Sequence, residues 1–397
     1  MGPMTGHPEG EPSKVPEFYI TGVAESPLGH VADQSEPSMA ALAAMEALEE
    51  AGLTRADVDG LFVNYMGEEG SVQVGEYLGV EPRHADSSDL GGGSWEGFVG
   101  HAMAAIAAGQ CEVALLVYAS RQRSLRSRSR KHATAPALPG SIAAQFDVPA
   151  GLPLPIGHFA LITARHMYEY GTSEEQLASV TVTGREWARM NPKAWRRAPL
   201  TVQDVMASDR VCGPLKKLDC CPITDGGGAV IVTTADRARR AGRPPVAIRG
   251  WGESHTHWHP HQRRDLTTTA AVASGRAAYE MAGIGPEDVD IFQPYDAFTI
   301  TPILQLEDLG FCQKGMGGEM FAQGHMKPGG RLPAMTSGGG LSYTHPGAFG
   351  IFLLIEAVRQ LRGDAGERQV APKPRTALVN GIGGLLSYSS TVVLTDD

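Results

Sequence analysis

The chain has 397 residues, 42% hydrophobic and 20% charged, with a formal net charge of −10. That length supports one large domain or two mid-sized halves around a sizeable core, and the acidic balance argues against a nucleic-acid binder driven by overall charge. No apolar run reaches the roughly 18 residues of a membrane span, and the five cysteines (Cys111, Cys212, Cys220, Cys221, Cys312) have no metal-like spacing, which leaves a cytoplasmic enzyme as the expectation.

Residues 1–17 read as a flexible, polar N-terminus without a secretory signal pattern. A strand follows at Phe18–Val23. A helix then starts at Ser35 and Pro37, carries Met39, Leu42, Met45 and Leu48 as a stripe, and stops at Gly52. Ala51-Gly52-Leu53 leads to Asp57-Val58-Asp59 and an apolar run from Gly60 to Tyr65. The same order returns in the second half: a strand at Pro245–Trp251, a helix over Leu266–Met281, then Ala282-Gly283-Ile284, Asp288-Val289-Asp290 and an apolar run from Ile291 to Phe298. Each half closes on a glycine-rich stretch and a strand. Asp225-Gly226-Gly227-Gly228 feeds Ala229–Val232, and Gly381-Ile382-Gly383-Gly384 feeds a run ending Thr391-Val392-Val393-Leu394.

The fold class expected is therefore α/β, built from two pseudo-repeated βαβ-rich halves at 18–240 and 241–397, with parallel strands buried on both faces. Residues of about 118–205 do not repeat. They form an insertion in the first half, with a helix around Phe159–Tyr170, and insertions of this length often serve as lids or partner surfaces.

Three motifs carry a resemblance. Ser337-Gly338-Gly339-Gly340 runs on to His345-Pro346-Gly347-Ala348-Phe349-Gly350, Leu218-Asp219-Cys220-Cys221 is followed by Thr224-Asp225-Gly226-Gly227, and Tyr295-Asp296-Ala297-Phe298 begins a loop. Together, over about Phe18 to Leu394, they resemble the thiolase superfamily and its sterol-carrier and lipid-transfer branch. The resemblance implies a layered α/β/α/β/α thiolase fold that binds an acyl-CoA. A thiolase places a nucleophilic Cys at the N-terminus of a buried helix, where dipole and N–H groups favour the thiolate. Here the matching stretch is Gly91-Gly92-Gly93-Ser94-Trp95-Glu96-Gly97, and Ser94 is assigned to the vestigial nucleophile position. The second thiolase Cys falls near Asn380 or Gly381, and Tyr295 replaces the Asn of the Asn-Glu-Ala-Phe loop.

Claisen chemistry needs the Cys, whereas retro-aldol cleavage needs two proton-transfer groups and a site for the thioester oxyanion. Tyrosines in these loops resemble the steroid side-chain-cleaving aldolases of the lipid-transfer group, which split a β-hydroxyacyl-CoA into a ring ketone and propionyl-CoA. The resemblance makes Tyr295 and Tyr343 catalytic, with His345 on the thioester oxygen or holding a tyrosine proton in place, and Gly339 and Gly340 in an oxyanion or CoA loop. It implies no cofactor beyond the CoA thioester substrate, a homodimer core, and a DUF35-type OB-fold partner, often fused to a hydratase, in a heterotetramer. A non-catalytic acyl-CoA or lipid scaffold, and a Claisen-type thiolase or acyltransferase using Ser94 or another Cys, stand as alternatives.

A tyrosine in a glycine-rich loop ordinarily packs in a core with its hydroxyl satisfied, and Asp296 suits a helix cap better than catalysis. His255, His257, His259 and His261 alternate, but no carboxylate or Cys lies at ligand spacing in the sequence, so a loop at the substrate entrance is expected and no metal. The basic run Arg121, Arg123, Arg126, Arg128, Arg130 and Lys131 reads first as a solvated face, then as a site for CoA phosphates, with an acidic partner face as the third use.

Overall fold

The computed structural model describes residues 17–64, 70–128, 140–152, 155–260 and 263–397. Residues 1–16, Arg130, Lys131 and His261, and the side chains of Arg126 and Arg128, lie outside the described residues.

The main sheet contains β1 (Phe18–Glu25), β2 (Gly60–Val63), β3 (His84–Asp86), β4 (Val113–Ser120), β5 (Gly226–Thr234), β6 (Val246–His255), β7 (Ile291–Pro294), β8 (Thr376–Gly383) and β9 (Tyr388–Thr395). Their order is β3-β2-β4-β5-β1-β6-β9-β8-β7, so each half contributes one side, and the halves join where Phe18–Ile20 pairs with Val246–Ile248. The helices that frame the site are α1 (Glu36–Ala51), α2 (Ser94–Ala107), α3 (Ile156–Tyr170), α4 (Glu174–Arg189), α5 (Ala271–Ala282), α6 (Gly339–Ser342) and α7 (Gly350–Arg362).

The internal repeat is structural down to single side chains. Gly52 and Gly283 end α1 and α5 in the left-handed conformation at φ 70° and 69°, which a glycine adopts without steric cost. Asp59 accepts hydrogen bonds from the N–H groups of Glu112 and Val113 at the start of β4, and Asp290 accepts from Arg375 and Thr376 at the start of β8. The sheet is nevertheless mixed. Only β2 with β3 and β4, and β7 with β8, run parallel. The closing strands β5 and β9 are antiparallel to their neighbours. β9 follows β8 through a short turn, too short for the crossover that a parallel pair requires.

The layers follow from side-chain size and burial. α1 covers the outer face of the first half, and α5 covers the outer face of the second. The face of α1 that packs down is Met39, Ala40, Ala43, Ala44, Ala47 and Leu48, whereas Leu42 and Met45 are exposed. A strict three-residue spacing drifts around a helix of 3.6 residues per turn, so the expected stripe leaves the core at those two positions. The alanines let α1 approach so closely that a Cβ on Gly22 would lie 2.0 Å from the Ala47 carbonyl oxygen. α2 and α7 lie between the halves and contact strands of both, and their apolar residues are buried almost all round. This is a layered α/β thiolase-like fold. α5 starts at Ala271, later than the sequence suggests, because the Asp265 carboxylate ties the N–H groups of Thr267 and Thr268 into a turn ahead of it.

Candidate active site

A cavity of about 490 Å³ opens at the head of α2, where the two halves meet. That is within the range of small-molecule sites. The turn Asp89–Gly92 forms one side. Tyr295, Ala297 and Phe298 after β7, His345, and the end of β8 at Ile382–Gly384 form others. The insertion supplies Pro155 and Phe159, and Phe159 stacks on Phe298 with centroids 4.4 Å apart. His255, His257 and Trp258, at and beyond the end of β6, complete the wall. Burial and the nearby Arg263 push the His257 imidazolium down to about 4, so its ring is neutral near pH 7.

Tyr295 is fixed by its own backbone. Its N–H donates to the Asn380 carbonyl and to Gln305 Oε1, while its carbonyl accepts from Thr301 Oγ1 and Gln305 Nε2. The Tyr295 hydroxyl and His345 Nε2 are hydrogen-bonded at 3.2 Å, with the rings edge to face. Burial pushes the His345 imidazolium down to about 4, which leaves a neutral ring able to accept the phenol proton. His345 is clamped from the first half: its N–H donates to Thr224 Oγ1, and its carbonyl accepts from the Thr224 N–H. The Thr224-Asp225 motif and the His345 loop, distant in sequence, are thus one unit.

The head of α2 presents Gly92, and not Ser94, to this pair. A Cβ on Gly92 would lie 2.3 Å from the Tyr295 hydroxyl oxygen. Ser94 is fully buried and does not line the cavity. Its hydroxyl donates to the Gly91 carbonyl and accepts from Asn64 Nδ2 and the Leu90 N–H, so it ties the turn together without a base to activate it. Ser94, expected at the vestigial nucleophile position, therefore lies off the cavity, and the helix-head residue that faces it is Gly92.

Tyr343 and the glycine pair lie elsewhere. Tyr343 is 2% exposed, packs edge-on against Phe349 and Phe352, and does not line the cavity. Its hydroxyl donates to Glu25, which also pairs with Lys193 and Arg359 at 2.6 Å each. Burial and the Glu25 carboxylate hold the Tyr343 phenol well above its ordinary value, so it stays protonated. Glu25 is buried, yet Arg359 and Lys193 hold its carboxyl well below the usual carboxylate range. The Gly339 N–H donates to Ser337 Oγ and the Gly340 N–H to Asp296 Oδ1, so both are spent inside the loop and neither faces the cavity as an oxyanion donor. Asp296 also accepts from the Leu341 N–H, capping α6, as the helix-capping reading expects. A Cβ on Gly339, at φ +65°, would strike that carboxylate.

Arg121 and Arg123 are occupied as braces. The Arg121 guanidinium donates to the Ala32 carbonyl while its backbone N–H donates to Glu36, and Arg123 donates to the Ile223 carbonyl and lies 4.6 Å over Trp195. Sequence reasoning gave no role to Glu25, Glu96 or Cys221. Glu96 marks only the first turn of α2 in the sequence, and nothing there signals its complete burial.

The family model described as Thiolase C-terminal domain-like matches residues 252–396. The chain is 34% identical over 379 residues to an acetyl-CoA acetyltransferase of Methanothermobacter thermautotrophicus, covering 93% of this chain and 97% of that protein. It is 34% identical over 359 residues to the 17-hydroxy-3-oxo-4-pregnene-20-carboxyl-CoA lyase of Mycobacterium tuberculosis, covering 87% and 91%. Among solved structures it matches the Ltp2-ChsH2(DUF35) aldolase with a TM-score of 0.85 at 30% identity, over 96% of this chain and 97% of that one. The chain belongs to the thiolase superfamily, in its sterol-carrier and lipid-transfer branch.

Gly92 has no side chain at the helix head, and the Tyr295 hydroxyl fills the space beside it. Asn380 Nδ2 bonds Ser389, Ser390 and Thr391 within the sheet, and Gly381 packs on Glu96, so neither residue the resemblance set near the second thiol offers a group to the cavity. Cys221 does line the cavity, but burial pushes its thiol up and keeps it protonated, the form that is a poor nucleophile.

Proposed function

We propose that this protein is a retro-aldolase that cleaves a β-hydroxyacyl-CoA to a ketone and a shorter acyl-CoA, with a 17-hydroxy steroid side-chain thioester as substrate and propionyl-CoA as product. The observation that carries this reading is the Tyr295–His345 pair standing over Gly92, where a Claisen enzyme of this superfamily needs its thiolate. In the reaction, Tyr295 takes the proton of the β-hydroxyl while its own proton passes to neutral His345. The Cα–Cβ bond breaks, its electron pair moves into the thioester enolate, and the pair returns one proton to Cα. Gly91 and Gly92, in the turn that leads into α2, face the cavity, and the dipole of α2 favours negative charge beyond its N-terminus. Tyr343 holds the loop through Glu25 and does not move a proton.

The apolar wall of Phe159, Phe298, Trp258, Leu90 and Ile382 suits a ring system, and the M. tuberculosis relative is named for such a substrate. The structural relative named with a DUF35 partner supports a DUF35-type partner for this chain, and we assign to the complex a homodimer core of this chain with an OB-fold partner.

The test is to co-express the chain with an OB-fold partner, supply the 17-hydroxy steroid side-chain CoA thioester, and follow products by mass spectrometry. A 17-keto steroid with propionyl-CoA, lost in Tyr295→Phe, is the expected result. Intact substrate together with an acyl-enzyme mass shift would favour an acyltransferase.

A further inference from the structure

The molecule carries a second cluster of ionisable side chains beside the cavity, outside the Tyr295–His345 pair. Asp147 ends the helical turn Ala143–Asp147 of the insertion, His158 lies in the first turn of α3, and His259 lies in the loop beyond β6. All three are buried, with 4%, 1% and 2% of their surface exposed. His158 Nε2 lies 3.2 Å from Asp147 Oδ2, and His259 Nδ1 lies 3.1 Å from the same oxygen. The three ligand atoms are all within 4.8 Å of one another.

We propose that Asp147, His158 and His259 form a structural site for a divalent transition metal, with zinc as its occupant. Two imidazoles and one carboxylate are a donor set that zinc favours, whereas magnesium and calcium select oxygen ligands. The spacing agrees. Ligand bonds of about 2.0–2.1 Å in tetrahedral geometry put neighbouring donor atoms about 3.3 Å apart, close to both separations on the shared carboxylate oxygen. The remaining pair, the two ring nitrogens, lies within the same 4.8 Å limit. Three protein ligands leave the fourth position for a water molecule.

The site would act as a clamp. Phe159 follows His158 and Trp258 precedes His259, and both of these neighbours line the cavity. One ion would therefore pin the insertion of the first half to the loop of the second, and fix the wall against which the acyl group packs. None of the three ligands lines the cavity, so the ion has a positioning role there and no part in proton transfer. The reading is independent of the reaction proposed above, because its test measures metal.

The full chain is purified without an affinity tag that binds metal, exhaustively dialysed, and analysed by elemental mass spectrometry. About one zinc per chain is expected, and its removal by a strong chelator lowers the melting temperature. Cobalt(II) added to the stripped chain is expected to give the intense visible bands of a tetrahedral site, saturating at one equivalent and displaced by zinc. His158→Gln and Asp147→Asn are expected to abolish both stoichiometric zinc and the tetrahedral spectrum. The cobalt titration of the unmutated chain decides the matter where a variant fails to fold. Substoichiometric metal with a pale octahedral spectrum, or a tetrahedral spectrum unchanged in folded His158→Gln, would overturn the assignment.

Discussion

The hydroxyl of Tyr295 occupies the volume that a side chain at position 92 would fill, since a Cβ on Gly92 would come within 2.3 Å of it and within 2.6 Å of the ring carbon that bears it. The two residues are complementary, and bulk at the helix head must displace the phenol. Gly92→Ala is expected to cost about 1–3 kcal/mol through overpacking and to reduce turnover. The stability cost should vanish in a Tyr295→Ala background. Urea unfolding of the two single variants and the double variant measures the coupling, and additive effects would show that the two positions do not compete for space.

Removing only the Tyr295 hydroxyl leaves the fold intact and takes away the proton-transfer group. Tyr295→Phe is expected to lower kcat by about 10²–10⁴-fold with KM little changed, while the melting temperature stays near that of the parent. Steady-state kinetics beside a thermal melt separates this from loss of structure.

His345 supplies a pH signature. Its folded-state value is pushed down to about 4 from 6.5 by burial. Between those values the unfolded chain binds the proton and the folded chain does not, so stability rises with pH across that window. The slope from this one group is roughly 1.4 kcal/mol per pH unit. Activity should fall as pH drops through about 4, because the protonated ring no longer accepts from Tyr295. His345→Asn is expected to flatten the stability slope between about pH 4 and 6.5, read from urea midpoints at several pH values.

Much of the scaffold was legible because it repeats. The Ala-Gly and Asp-Val-Asp pairs report helix ends and strand caps that the chain uses twice, as Gly52 with Gly283 and Asp59 with Asp290. Tyr295 was legible because Tyr295-Asp296-Ala297-Phe298 resembles the Asn-Glu-Ala-Phe loop of the superfamily, and the structure adds that Thr301 and Gln305 grip its backbone. What local spacing could not give is the side of a loop on which a residue falls. Tyr343 and His345 are two residues apart, yet the chain turns at the end of α6, so that His345 meets Tyr295 while Tyr343 meets Glu25, from β1 of the other half. The same ambiguity applies at the helix head, where Gly92 faces the cavity and Ser94, two residues on, does not. His259 looked like part of a histidine run lacking a carboxylate, because Asp147 is distant in sequence and adjacent only in the fold.

Tyr343 and Glu25 should therefore behave as a structural pair. Tyr343→Phe removes one hydrogen bond from a carboxylate that keeps Lys193 and Arg359, so it is expected to cost about 1–3 kcal/mol and to leave kcat within a few-fold of the parent. Glu25→Gln leaves half-buried Arg359 without this counter-charge and removes a buried carboxylate with three partners, and is expected to cost about 3 kcal/mol. Chemical denaturation with kinetics on both variants checks this. A loss of turnover in folded Tyr343→Phe as deep as that of Tyr295→Phe would return Tyr343 to the reaction.

Glu96 gives the opposite pH dependence to His345. It lies fully buried in the first turn of α2, wedged between Gly350 and Gly381, and neither carboxyl oxygen has a hydrogen-bond partner among the described residues. Burial pushes its carboxyl up to about 8, so it is uncharged at neutral pH. From 4.5 to about 8 the folded chain holds a proton that the unfolded chain has lost, so this group makes stability fall as pH rises. The slope is again roughly 1.4 kcal/mol per pH unit. Glutamine has the shape of the protonated acid and cannot ionise. Glu96→Gln is therefore expected to be close to neutral near pH 5 and increasingly stabilising towards pH 8, as read by the difference in urea midpoints between variant and parent. A difference that stays constant with pH would mean that Glu96 is already ionised in the fold, with a counter-charge beside it.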